Sequence, residues 1–169
     1  MEQPLCVFFQ SLKATVASQT ARHFLPVETL KRQIDAMSFN KMNTMHWHVT
    51  DAESMPIQSQ RFPMLHEKGA FGPKAFYSTT QIEELVTFAA QRGVRVVPEF
   101  DMPGHNYAYF LGKPELMCEC PNTLAPISTE FWKASFDPTN PELYDFLDAF
   151  LGEMTSRFPE QILHLGGDE

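Results

Sequence analysis

The sequence predicts an α/β protein built on a parallel sheet. Short β-branched or aromatic runs alternate with segments whose apolar residues recur at helical spacing, in the order β–α–β–α–β–α–β. This alternation favours parallel strands joined by right-handed crossovers. Charged and polar side chains follow the predicted strands, and parallel α/β proteins bind ligands at the carboxyl ends of their strands.

The first half of the chain is predicted to form a strand, a helix and a second strand. They cover residues 15–19, 27–38 and 44–49. Pro26 suits the helix start because its fixed φ fits the first turn. On the second strand, His46 and His48 point to the same face because side chains alternate with a period of two.

The second half is predicted to add two helices and two strands. The strands cover 94–100 and 161–165, the helices 80–92 and 140–158, and long irregular segments cover 52–78 and 106–138. Thr80 and Glu83 match the capping-box pattern, and Gly93 suits the position after a helix. Asn140 is the expected cap of the last helix, with Pro141 at its first position.

The polar residues at the strand exits predict one shared site. They are Arg22, Asp51, Asp101, His105, Asp168 and Glu169. A site formed by side chains from four consecutive strand ends fits a barrel better than an open sheet. A (β/α)8 TIM barrel needs about 250 residues. The 169 residues are therefore expected to hold only the first four β/α units.

Two glycines and two carboxylates end the sequence. Gly166 and Gly167 let the backbone turn sharply and lie close to a ligand. The neighbouring side chains of Asp168 and Glu169 diverge in an extended segment, so they do not suit the straddling pair of ordinary retaining glycosidases. They suit a proton donor beside a group that holds the substrate, or else an ordinary polar turn.

A metal site is a second interpretation of the histidines. The His46-x-His48 pair could ligate a metal together with Asp101, His105 and His164. Hydrogen-bonded histidines are the more common alternative. A structural ion pair between Arg22 and Asp51 is the corresponding alternative to a role for these two residues in binding.

Composition narrows the class of partner. The net charge is −8, from 13 Lys and Arg against 21 Asp and Glu, which disfavours nucleic acid or an anionic membrane. No apolar run approaches the about 18–20 residues of a membrane span. The N-terminus lacks the basic region of a signal peptide.

The three cysteines, Cys6, Cys118 and Cys120, cannot all form disulfides within the chain because their number is odd. Free thiols and a disulfide to a cysteine outside this chain both remain open.

Four ordered motifs resemble one family. Residues 164–169, HLGGDE, resemble the His-x-Gly-Gly-Asp-Glu signature of family 20 glycoside hydrolases, the β-N-acetylhexosaminidases. Residues 22–26 (RHFLP), 46–51 (HWHVTD) and 98–105 (PEFDMPGH) agree with three further family blocks in the same order. We expect residues 19–169 to be the N-terminal half of the catalytic TIM barrel and residues 1–18 to remain unassigned.

The resemblance implies the chemistry of the site. The family uses a retaining, substrate-assisted mechanism in which the substrate's 2-acetamido oxygen attacks its own anomeric carbon. By resemblance, Glu169 is the general acid and then the base, and Asp168 orients the acetamido group. The implied substrates are glycans that end in N-acetylhexosamine. The resemblance implies neither a cofactor nor a metal.

The resemblance also implies supporting roles. Arg22 would bind hydroxyls of the terminal sugar, Asp51 and His105 would support the acid, and His164 would line the pocket. One departure is Gln19, which stands where family members usually carry Asp.

The remaining expectations concern the isolated chain. A half-barrel leaves sheet edges and an apolar interior uncovered, so we expect little or no activity from residues 1–169 alone. The family implies a lysosomal or secreted location and relatives that are often dimeric. Two alternatives remain. One is a metal-dependent barrel hydrolase, and the other is a non-catalytic remnant or a partner that completes a barrel in trans.

Overall fold

Three parallel strands form the sheet. The computed structural model describes residues 15–118, 134–160 and 162–167. The strands are β1 (Thr15–Gln19), β2 (Thr44–Thr50) and β3 (Arg95–Phe100). They pair in the order β1-β2-β3, and both pairs are parallel. The predicted parallel α/β architecture is therefore present in the described residues.

Helices cover one face of this sheet. They are α1 (Val27–Phe39), α2 (Met64–Gly69), α3 (Thr79–Ala90), α4 (Tyr107–Gly112) and α5 (Pro141–Thr155), with a 3-10 turn at Pro114–Leu116. The side chains of Met45, Trp47 and Val49 on β2 are fully buried in the core that the helices form with the sheet. No helix in the described ranges is both long enough and apolar enough to cross a membrane.

The opposite face of the sheet, called the inner face below, carries the polar side chains. The strand register aligns Gln19 with His48 and His48 with Glu99, while Ala17 aligns with His46. Because paired residues of parallel strands share a face, these side chains lie together on the side away from the helices. The shared face that the sequence predicts for His46 and His48 follows from this register.

The predicted strand at 161–165 is wrong within the described residues. Residue 161 lies outside them, and the segment that follows makes only an isolated parallel bridge between Glu99 and His164. His164 N–H donates to the Pro98 carbonyl at 2.9 Å, and Phe100 N–H donates to the His164 carbonyl at 3.0 Å. The predicted direction along β3 is therefore right, but the pairing is too short to form a strand.

Two short helices lie in segments predicted as irregular. Helices α2 and α4 have six residues each, and each buries one large side chain completely, Leu65 and Tyr109 respectively. Six residues are too few for helical periodicity to stand out in a sequence.

Cys118 Sγ lies 3.5 Å from the Phe136 carbonyl oxygen, and the other two cysteines lie outside the described residues.

The capping predictions have different outcomes. The cap predicted at Thr80 is wrong. Ser78 Oγ accepts from Gln81 N–H at 3.2 Å, and the Gln81 side chain accepts from Ser78 N–H at 3.0 Å. The run of three hydroxyl residues at 78–80 made the position ambiguous. Asn140 caps α5 as predicted, and its Oδ1 accepts from Glu142 N–H at 3.0 Å.

Glu153 on α5 fixes the loop that follows residue 58. Its carboxylate accepts from Ser59 Oγ at 2.7 Å and from Gln60 N–H at 2.7 Å. Arg157 donates to Glu153 and also to the Gln58 carbonyl. Burial raises the pKa of Glu153, but the Ser59 and Gln60 hydrogen bonds and the Arg157 charge outweigh burial and hold it below its usual value.

We expect Glu153→Gln to lower the free energy of unfolding by about 1–3 kcal/mol near neutral pH, because the buried Ser59 hydroxyl and Arg157 guanidinium lose their charged acceptor. The folded-state pKa lies below the unfolded value. The stabilisation is therefore full above the unfolded pKa of about 4.3 and is lost as the pH falls through the folded pKa. Urea unfolding at several pH values measures this.

The matched control is Glu28→Gln, which removes an exposed partner of Lys31 and should change little. A stability gap between wild type and Glu153→Gln that stays the same in acid would contradict the assigned role.

Candidate active site

A buried carboxylate, Asp51, connects three strand exits. It is 1% exposed and follows β2 directly. Its Oδ2 accepts from Arg22 Nε at 2.9 Å and lies 3.3 Å from His48 Nε2, while its Oδ1 lies 3.5 Å from His105 Nδ1. The hydrogen bond to Asp51 raises the pKa of Arg22, so the guanidinium is held as a cation.

Two buried hydrogen bonds anchor the loop that carries Arg22. Ser54 Oγ donates to the Ala21 carbonyl at 2.6 Å, and Trp47 Nε1 donates to Thr20 Oγ1 at 2.9 Å. Ser54, Trp47, Thr20 and Ala21 are all buried. The side chain of Arg22 itself is 43% exposed, so it reaches solvent from a rigid base. This is a suitable arrangement for binding a polar ligand.

Asp101 is the second buried carboxylate, at the exit of β3. Its Oδ2 lies 3.2 Å from His105 Nδ1, and its backbone N–H donates to Thr50 Oγ1 at 3.2 Å. The Thr50 hydroxyl lies 3.3 Å from the buried Tyr109 hydroxyl. Desolvation raises the pKa of Asp101. The backbone of His105 has φ of 55°, a left-handed conformation that is uncommon for a residue with a side chain.

Glu99 lies between two histidines on the inner face of the sheet. It is 6% exposed; its Oε2 is hydrogen-bonded to His46 Nε2, and its Oε1 lies 3.4 Å from His164 Nδ1. The rings of His46 and His164 face one another with centroids 4.7 Å apart. His164 is half exposed.

The glycine turn after His164 lies against Asp101. Gly166 and Gly167 have φ of 68° and 79°. A Cβ at Gly166 would stand 1.9 Å from Asp101 Oδ1, so no larger residue fits there. The turn leads to Asp168 and Glu169, which lie outside the described residues. The structure therefore describes the approach to the predicted catalytic pair.

The predicted supporting residues fall into two groups. Arg22, Asp51 and His105 form one chain of contacts that includes Asp101, whereas His164 belongs to the neighbouring group around Glu99. Alternation along a strand predicts that Glu99 and Asp101 share a face. It does not predict that Glu99 meets His46 and His164, and sequence reasoning therefore left Glu99 out of the site.

The predicted metal site is divided between two sets of side chains. Possible ligand atoms approach within 4.8 Å of one another in each of two sets, His46–Glu99–His164 and His48–Asp51–Asp101. His46 and His48 therefore belong to different sets. In the second set the cationic Arg22 already neutralises Asp51, which disfavours a metal cation there. We assign no ligand role to these residues.

The cluster lies where parallel α/β enzymes carry their catalytic groups. Buried carboxylates and histidines at successive strand exits define the class as a parallel α/β protein with its ligand site at the carboxyl edge of the sheet. Residues 16–169 match the sequence model of the glycosyl hydrolase family 20 catalytic domain. The chain therefore belongs to glycosyl hydrolase family 20.

Curated relatives agree with this assignment. The chain is 46% identical over 150 residues to β-hexosaminidase A of Caenorhabditis briggsae, covering 89% of this chain and 27% of the relative. It is 41% identical over 153 residues to the human β-hexosaminidase subunit beta, covering 89% of this chain and 26% of that subunit. The chain thus spans about a quarter of the length of these relatives.

Solved structures give the same family. A family 20 exo-β-N-acetylglucosaminidase from Vibrio harveyi superposes with a TM-score of 0.81 at 32% identity, covering 92% of this chain and 27% of that one. A β-N-acetylhexosaminidase from Bacteroides fragilis gives 0.80 at 36% identity, covering 93% and 32%.

We expect Gly166→Ala to destabilise the turn by at least about 1–2 kcal/mol, because an L-residue is strained in the left-handed region and its Cβ would meet Asp101. Local hydrogen exchange and the urea midpoint measure the change.

Gly152→Ala on α5 is the matched control. A Cβ at that position meets nothing within 4 Å, and alanine should stabilise the helix by about 0.5–1 kcal/mol. Equal effects of the two substitutions on the free energy of unfolding would contradict both the backbone strain and the contact with Asp101.

Proposed function

We propose that the protein is a β-N-acetylhexosaminidase that removes terminal, non-reducing N-acetylhexosamine from glycans or glycoconjugates. The observation that carries this proposal is the chain of contacts from Arg22 through Asp51 and His105 to Asp101, beside the turn that leads to Asp168 and Glu169. The family membership and the names of the relatives support the same reaction.

In the proposed reaction the substrate supplies its own nucleophile. The 2-acetamido oxygen attacks the anomeric carbon, the glycosidic C–O bond breaks, and Glu169 gives its proton to the leaving oxygen. Asp168 orients the acetamido group and stabilises the positive charge on the resulting oxazolinium ion. Glu169 then removes a proton from water, which attacks the anomeric carbon. The bond between this carbon and the acetamido oxygen breaks, the ring opens to the 2-acetamido group, and the product has retained configuration.

The described residues suit supporting roles in this scheme. Arg22 reaches solvent from a rigid loop and can donate to sugar hydroxyls. Asp51 and Asp101 both approach His105 Nδ1, so a proton on that nitrogen is held between two carboxylates. These contacts hold the His105 ring in one orientation, and its proposed role is to support Glu169 as the acid.

The proposal includes a domain assignment. The expected boundary at residue 19 would cut through β1, which pairs with β2 from Thr15 onward. Residues 15–169 would therefore form the N-terminal half of a (β/α)8 barrel. The inner face of the sheet, with His46 and His48 partly exposed, would then face the second half. A lysosomal or secreted location and the possibility of dimers belong to the same proposal.

The activity test uses a graft. We expect little turnover by residues 1–169 alone, and turnover of an aryl N-acetyl-β-glucosaminide when these residues replace the matching segment of the Caenorhabditis briggsae relative. Glu169→Gln should lower kcat about 10²–10⁴-fold by removing the acid. Release of the aryl alcohol measures both.

Glu142→Gln, an exposed change on α5, is the control and should retain activity. An aryl β-glucoside without the acetamido group should not be cleaved. If turnover persists in Glu169→Gln and is abolished by a chelator, the metal-dependent alternative would replace this proposal.

We expect Arg22→Lys in the same graft to lower kcat/KM about 10–100-fold. The ammonium group cannot reproduce the fork that serves Asp51 and a sugar hydroxyl, and hydrogen bonds to charged groups contribute about 1.5–3 kcal/mol. Steady-state kinetics measure this loss. Arg32→Lys, on the exposed side of α1, should have no effect, and equal kinetics for both variants would remove Arg22 from the site.

A further inference from the structure

One nitrogen of His164 has two competing partners. Nδ1 accepts from Gly166 N–H at 3.0 Å, and Glu99 Oε1 lies 3.4 Å from the same atom. An imidazole nitrogen without a proton can accept from an amide, whereas a protonated one can only donate, here to the carboxylate. The two contacts are therefore mutually exclusive.

The position of His164 is fixed by its backbone and its neighbours. Its N–H and carbonyl both pair with β3, through Pro98 and Phe100, and its ring lies against His46. Glu99 is held in turn by its hydrogen bond to His46. The ring can therefore exchange partners at Nδ1 without leaving the sheet.

The turn beyond His164 is weakly determined by its own sequence. Two consecutive glycines populate many backbone conformations, so contacts from outside must select the observed one. Three such contacts are present in the described residues. Met102 N–H donates to the Leu165 carbonyl at 3.0 Å, Asp101 packs against Gly166 from one side, and His164 Nδ1 accepts the Gly166 amide.

We propose that His164 is a positioning residue, not a residue that merely lines the pocket. Its neutral ring fixes the Gly166–Gly167 turn that leads to Asp168 and Glu169, and Glu99 takes over the same nitrogen when the ring is protonated. The importance for catalysis rests on the proposed function. The titratable groups that face the ring and the turn in the described residues are His46 from β2, Glu99 from β3 and Asp101 after β3.

The first test follows the Gly166 amide in the whole chain by hydrogen exchange, detected by NMR across acidic and neutral pH. We expect the protection factor of Gly166 to fall about tenfold or more on acidification and to be low at every pH in His164→Ala. In Glu99→Gln the amide of Gly166 should stay protected at neutral pH, because the neutral ring accepts this amide without help from the carboxylate. Glu84→Gln, an exposed change on α3, should behave as wild type.

A second measurement requires no variant and decides the proposal even if Glu99→Gln does not fold. Long-range ¹H–¹⁵N spectra of the wild-type imidazoles show which nitrogen of neutral His164 carries the proton. We expect Nε2. A proton on Nδ1 of the neutral ring, or Gly166 protection that does not change with pH, would overturn the proposal.

Kinetics of the graft connect this role to the reaction. His164→Ala should lower kcat about tenfold or more with little change in KM, because the turn is misplaced while Arg22 still binds the sugar. A graft without any turnover would refute the proposed function, whereas the exchange and tautomer measurements would still decide the positioning role. A fall in kcat without a change in Gly166 protection would count against it.

Discussion

The parallel register of β2 with β3 is the constraint on which the site depends. It aligns His48 with Glu99 and His46 with Val97, so the inner face of the sheet gathers the histidines and the acidic residue. The register shifts after His48, and Thr50 then pairs with Phe100. Thr50 can therefore accept the Asp101 amide, and the carboxylates that follow the two strands both reach His105. A slip by one residue would exchange the two faces of a strand and remove this arrangement.

Burying two carboxylates side by side is unfavourable unless their charges are compensated. Asp51 is compensated by Arg22 and by the amide of Ala52, whose N–H donates to Oδ1 at 2.6 Å. Asp101 is compensated less completely. One oxygen meets His105, while Oδ1 is buried without a hydrogen-bond partner among the described residues. Desolvation by burial raises the pKa of Asp101. An incompletely compensated carboxylate is common at functional sites, where stability is exchanged for reactivity.

The face of the sheet that packs against the helices holds the site rigid. Trp47 packs edge-on against Tyr77, whose hydroxyl donates to the Leu25 carbonyl at 2.6 Å. Burial raises the pKa of Tyr77 to about 12, so its hydroxyl remains a donor. On the far side of the site, Tyr109 packs against Phe136 and Phe150 and places its hydroxyl beside Thr50. Aromatic side chains thus support the loop of Arg22 and the exit of β3 from behind.

The sequence by itself determined the alternation of strands and helices, the strand at 15–19, the cap at Asn140 and the gathering of polar residues at strand exits. These features are local or periodic, and so a single sequence contains them. The family resemblance, carried by four short motifs, was also visible in the sequence, and the match over residues 16–169 confirms it. The assigned roles of Asp168 and Glu169 stay predictions, because both residues lie outside the described structure.

Only the tertiary structure decided which polar residues meet. It assigned His46 and His48 to different groups of contacting side chains, placed Glu99 between two histidines, and showed that Gly166 must lack a Cβ because Asp101 occupies the adjoining space. It also replaced the expected last strand with a short bridge to β3. These facts depend on strand register and on contacts between residues far apart in the chain. The spacing of residue types along the sequence contains no information about the distances between such atoms.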